Sequence, residues 1–138
     1  MPKTENGVHS KTMLAGLANA KALKLAEIND KCEAALQGLT ATYPDTERLT
    51  FDQQKQEAEA RQADASAVCP LLSPLADARG IALDDLAARV LGKAAAFSAA
   101  SGALIGQRQR MEDALDACAS VEEAQVLAVS YSLPGGAA

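Results

Sequence analysis

Tryptophan is absent from this sequence, and aromatic residues make up only 3% of it, as Tyr43, Phe51, Phe97 and Tyr131. A core without bulky rings has to be filled by aliphatic side chains and by close approach of helices. Histidine occurs once, as His9, so a histidine-rich metal site is excluded and a Cys or Ser nucleophile lacks a placed base. The three cysteines, Cys32, Cys69 and Cys118, form no CxxC pair, and their odd number suits reduced thiols better than a disulfide framework. Cys32 and Cys118 fall at apolar helical positions and read as packing residues. Neither GxxxxGK[ST] nor a GxGxxG after a strand occurs. The opening MPKTENGVHSKTM has no apolar signal core, and no uncharged apolar run approaches membrane-spanning length. The expectation is a non-enzymatic protein with no cofactor, no metal and no membrane span.

What the chain does contain is alanine, which supplies much of a 49% hydrophobic content, over 138 residues that suit one core. The net charge of −5 argues against a nucleic-acid or anionic-membrane partner. Residues 1–31 nevertheless hold Lys3, Lys11, Lys21, Lys24 and Lys31 against Glu5, Glu27 and Asp30, a local balance of +2. A solvated helix face accounts for those lysines, with attraction to an acidic surface as the alternative.

Residues 1–11 carry no apolar periodicity and read as a flexible polar arm. From about 12 to 39, Leu14, Ala18, Leu25, Ile28, Cys32, Ala35 and Leu39 follow three- and four-residue spacing, interrupted by Lys21, and predict a first long helix that ends before Pro44. Thr50 with Gln53 has capping-box spacing and predicts a polar helix over about 51–65. Residues 70–79 read as a short helix anchored by Leu71, Leu72 and Leu75 and closed by Gly80. Ser120 with Glu123 marks another capping box, before a final helix over about 121–130 and a tail over 131–138. Asp84-Asp85 is explained by the dipole of a helix start, and Arg108-Gln-Arg110 by i,i+4 pairing with the acids that follow it.

Periodicity is strongest over about 83–118. Leu83, Val90, Phe97, Leu104, Met111 and Cys118 recur at every seventh residue, with Leu86, Ala100 and Ala114 between them, although Lys93 and Gln107 make the stripe imperfect. On the same helix Ala94, Ser98, Gly102 and Gly106 form a small-residue stripe that predicts close contact with a partner helix or a local bend. The predicted fold is therefore all-α. The helices at about 12–39 and 83–118 form an antiparallel pair with the shorter ones beside them, in one domain over 12–130. Leu83, Val90, Phe97, Gly102, Leu104, Gly106 and Met111 are the candidate protein-interface residues, with a dimer or trimer expected because an alanine-rich pair encloses little apolar surface.

Five stretches, Tyr43-Pro44 with Glu47, Leu49-Thr-Phe-Asp-Gln-Gln54, Pro70-Leu-Leu72, Leu75-Ala-Asp-Ala-Arg-Gly80 and Ser101-Gly-Ala-Leu-Ile-Gly-Gln-Arg-Gln109, together resemble a helical domain of unknown function. That domain is encoded by tailed phages and prophages near tail-fibre genes, and the similarity runs over about residues 25–125. The resemblance implies a tail-associated or tail-fibre assembly role, in the host cytoplasm or the virion, with a phage tail protein as partner. It carries over no active residue. A cytosolic homo-oligomeric adaptor is the competing expectation.

Overall fold

A computed structural model describes residues 2–134, with side chains from Leu14 onward. Six helices are present in this range: α1 Pro2–Gly38, α2 Asp45–Arg48, α3 Phe51–Ala63, α4 Leu72–Arg79, α5 Leu83–Asp116 and α6 Val121–Val126. No strand occurs among the described residues, so the fold is all-α as expected. Helix α1 starts at Pro2 rather than at residue 12, and the side chains of the expected arm lie outside the described residues. The chain divides into two compact units, Met1–Gln37 with Gly102–Ala138, and Gly38–Ser101; α5 contributes to both.

In the first unit α1 lies antiparallel to the later part of α5. Lys21 Nζ donates to Asp116 O (3.1 Å), Arg108 donates to Asn29 Oδ1 (3.2 Å), and Cys32 Sγ faces Leu104 O (3.9 Å). As the number rises on one helix it falls on the other. Ile28, Met111, Leu115 and Ala124 are buried at the centre, with Ala20, Leu25 and Cys118 packed around them. The inner face of α1 differs at its start from the expected stripe: Leu14 is 68% exposed and Ala18 is exposed, while Leu17, Lys21 and Lys24 are half-buried. The reason is a demand for donors. The ends of α5 and α6 carry carbonyls without intrahelical partners, and Lys24 Nζ donates to Gln125 O (3.1 Å) and Leu127 O (3.0 Å) as Lys21 does to Asp116 O. These lysines, expected on a solvated face, cap two other helices.

Helix α6 begins as predicted. Ser120 Oγ accepts from Glu123 N (3.1 Å), and the Glu123 carboxylate accepts from Ala119 N (2.8 Å). It stops at Val126 instead of residue 130, because Leu127 turns extended (φ −58°, ψ 122°). From there the side chains alternate: Leu127, Val129 and Tyr131 pack on the core while Ala128, Ser130 and Ser132 are exposed. Gln107, which interrupts the heptad, clamps this segment from both sides. Its Nε2 donates to Ser132 O (2.8 Å) and its Oε1 accepts from Ser132 N (2.9 Å). The Tyr131 hydroxyl donates to Ile28 O (2.7 Å), so the chain expected as a tail from residue 131 is held at Tyr131 and Ser132; residues 135–138 lie outside the described residues.

The second unit is built on α3, α4 and the first part of α5. Ala58, Cys69, Leu72, Ala76, Leu86 and Ala87 form its buried centre. Gly80 closes α4 in the left-handed conformation (φ 71°), with Ile81 N donating to Ala76 O (3.1 Å). The start of α4 is supplied from elsewhere in the chain. Glu57 on α3 is 8% exposed, and its carboxylate accepts from Leu71 N (3.0 and 3.2 Å), Leu72 N (2.9 Å) and Gln53 Nε2 (2.8 Å). This capture sets the first helical residue at Leu72 rather than at 70. Pro74 sits within the first turn, where no N–H is needed.

The capping box expected at Thr50 does not form. Thr50 has near-helical backbone (φ −93°, ψ −6°) because the one-turn helix α2 leads straight into it, and its hydroxyl donates to Glu47 O (2.7 Å). Gln53 is engaged by Glu57 instead. Helix α3 ends at Ala63, two residues before the predicted end, where the Asp64 carboxylate accepts from Ser66 N (2.9 Å) and Ser66 Oγ (2.7 Å). These two bonds hold the Asp64 carboxyl below its usual range.

Candidate functional site

The repeat at every seventh residue of α5 does not serve one surface. Leu83 and Val90 pack on the core of Gly38–Ser101, whereas Leu104 (1% exposed) and Met111 (8%) are buried in the core of the other unit. Phe97 falls between these sets and remains 47% exposed. Gly102 and Gly106 are also exposed, and a Cβ built on either meets nothing within 4 Å. Among the described residues no helix therefore occupies the small-residue face at those two positions. The seven interface candidates separate into four residues used in intrachain cores and three that face outward.

Phe97 leads to a site that periodicity does not reveal. An open groove of about 1190 Å³ lies on the Gly38–Ser101 unit, lined by the 39–55 stretch, by α4 and by α5. Val90, Ala94 and Phe97 come from α5, Leu75 from α4 and Leu71 from the position just before it. Tyr43 comes from the stretch between α1 and α2 and Phe51 from the start of α3, and their rings meet edge to face with centroids 5.0 Å apart. Three of the four aromatic residues in the chain thus line one groove. In a chain this poor in rings, their convergence singles out this surface, because aromatic side chains concentrate where proteins bind.

The charges around the groove are uneven. Lys55, Arg79, Arg89 and Lys93 belong to its lining, against Glu47 and Asp52. Lys55 lies 3.8 Å from Glu59, but among the described residues Arg79, Arg89 and Lys93 form no ion pair. Arg61 is different: it is joined to Asp84 at 2.8 Å, and that bond raises its pKa. Arg108 is likewise paired with Glu112, as the i,i+4 spacing predicted, which raises its pKa too.

The lining is largely apolar. It contains no histidine or cysteine, and among the described residues no group of three or more His, Cys, Asp or Glu converges as metal ligands would. The volume exceeds the range of about 300–1,000 Å³ usual for small-molecule pockets, and the groove is open rather than enclosed. A sequence signal for it existed in the rarity of aromatics. Tyr43 and Phe51 lie outside the long periodic helices, however, and only the fold brings them to Phe97.

Residues 92–130 match the family model of the HI1402 helical domain. This stretch takes in Lys93, Ala94 and Phe97 of the groove, the later part of α5 and all of α6, less than a third of the chain. The match supports a helical domain of unknown function. No curated protein and no solved structure matches the chain. Among the described residues no helix is long and apolar enough to cross a membrane.

Proposed function

We propose that this chain is a non-enzymatic phage or prophage protein that binds other protein chains through the groove on its Gly38–Ser101 unit, as a tail-associated or tail-fibre assembly component. The observation that carries the binding role is the convergence of Tyr43, Phe51 and Phe97 on one open, largely apolar surface. The phage setting rests on the resemblance of the five sequence stretches, four of which supply groove residues, among them Tyr43, Phe51, Leu71 and Leu75. A cytosolic homo-oligomeric adaptor is the second reading. It is favoured by the open surroundings of Gly102 and Gly106, which leave room for a second copy in a dimer or trimer.

Affinity purification from phage-infected cells, using the wild-type chain beside Phe97→Asp, tests both. Enrichment of virion tail proteins that is lost with Phe97→Asp supports the assembly role. Recovery of host regulatory proteins alone favours the adaptor, and identical recoveries with both chains refute binding through the groove.

A further inference from the structure

We infer that the occupant of the groove is an acidic amphipathic helix of a partner protein, an inference that rests on the groove being the binding surface. The groove is walled by helices and loops, and no strand edge exists among the described residues to pair with an extended peptide. Recognition then depends on side-chain anchors, as when an amphipathic helix lies in an apolar groove with residues at i, i+3, i+4 and i+7 pointing inward. On the groove side, Val90 and Phe97 are spaced seven apart along α5, and Leu71 and Leu75 four apart on and before α4, so apolar contacts repeat at helical pitch.

Charge selects the partner's flanks. This chain carries −5 overall, yet the groove lining has four cations against two carboxylates. Arg89 and Lys93 are four apart on α5, and Arg79 follows Leu75 by one turn on α4; all three lack a carboxylate partner among the described residues. Cations left unpaired beside an apolar surface are complementary to Asp or Glu flanking an apolar stripe, and they repel a basic helix.

A display library of helical peptides with fixed apolar anchors and randomised flanking positions, panned on the full chain, provides the test. The expected result is enrichment of Asp and Glu at the flanks. Selected peptides should bind at least about tenfold more weakly to Arg89→Glu/Lys93→Glu, whose two sites are exposed and unpaired, and more weakly as salt rises. Enrichment without charge preference, in peptides that still lose binding to Phe97→Asp, overturns the acidic helix and leaves the groove standing. If no peptide is enriched, or if none is sensitive to Phe97→Asp, the groove reading falls as well. Sedimentation of the same variants covers the other occupant: a wild-type dimer dispersed by Arg89→Glu/Lys93→Glu would give the groove to a second copy and overturn the inference.

Discussion

Replacing Glu57 by alanine tests the arrangement that holds α3 to α4. The carboxylate is the acceptor for the amides of Leu71 and Leu72, and Leu72 is 0% exposed. A buried amide left without an acceptor costs about 1–3 kcal/mol, and the lower end applies to Leu71, which is only half-buried. The two together predict a loss of about 2–4 kcal/mol, a large fraction of the roughly 5–15 kcal/mol that stabilises an ordinary domain. Glu57→Gln should cost less, about 0.5–1.5 kcal/mol. Its carbonyl can occupy the place of Oε1, which serves both amides, while its NH2 group faces Gln53, an exposed residue free to turn away. Glu59→Ala is the control. Glu59 is exposed and only 3.8 Å from Lys55, so its removal should cost less than about 0.5 kcal/mol. Urea unfolding followed by circular dichroism gives the totals, and hydrogen exchange at the α4 amides locates the loss. A cost for Glu57→Ala within about 0.5 kcal/mol of that for Glu59→Ala would refute the capping role.

Three further outcomes are expected. Gly80→Ala should lower the melting temperature by about 1 kcal/mol equivalent because φ is 71°, whereas Gly102→Ala should raise it by a similar amount, as a Cβ there meets nothing within 4 Å among the described residues; calorimetry reads both signs. Burial of the Tyr131 hydroxyl pushes its pKa up to about 12 from the usual 10, so between these values the unfolded chain gives up a proton that the native one keeps. The Tyr131 contribution is therefore full below pH 10 and is lost as pH rises to about 12, and Tyr131→Phe should flatten the fall in stability measured over that window. Thiol labelling under native conditions should be slow at Cys32 and Cys69, each 3% exposed, and faster at the half-buried Cys118, which departs from the equal protection its heptad position implied.

The sequence by itself determined the class of fold and most helix limits, because these depend on neighbours a few residues apart. The period of α5, the Gly80 stop and the Ser120–Glu123 cap all act within one or two turns. At the start of α4 and from the end of α6 onward, the displaced boundaries have partners distant in the chain. Glu57 moved the start of α4 to Leu72 from fourteen or fifteen positions away. Lys24 and Gln107 engage the segment at and beyond the end of α6, from α1 and α5, at sequence separations of 103 and 25. Lys24 and Gln107 looked like solvent-facing or faulty stripe positions because a periodicity argument counts apolar residues and cannot see a carbonyl or amide that needs a partner.

The groove was hidden for a related reason. Tyr43 belongs to a bend and Phe51 opens a polar helix, while Phe97 is the exposed member of a repeat whose neighbours Val90 and Leu104 are half-buried and buried. Each was visible in the sequence as a rare ring, but a shared surface is a property of distances in space. Only the tertiary structure decided that the seven-residue repeat would be divided between two cores, and that Phe97, together with Tyr43 and Phe51, would be left to line an open surface. The spacing of a helix states which residues share a face, whereas what covers that face depends on elements the spacing does not contain.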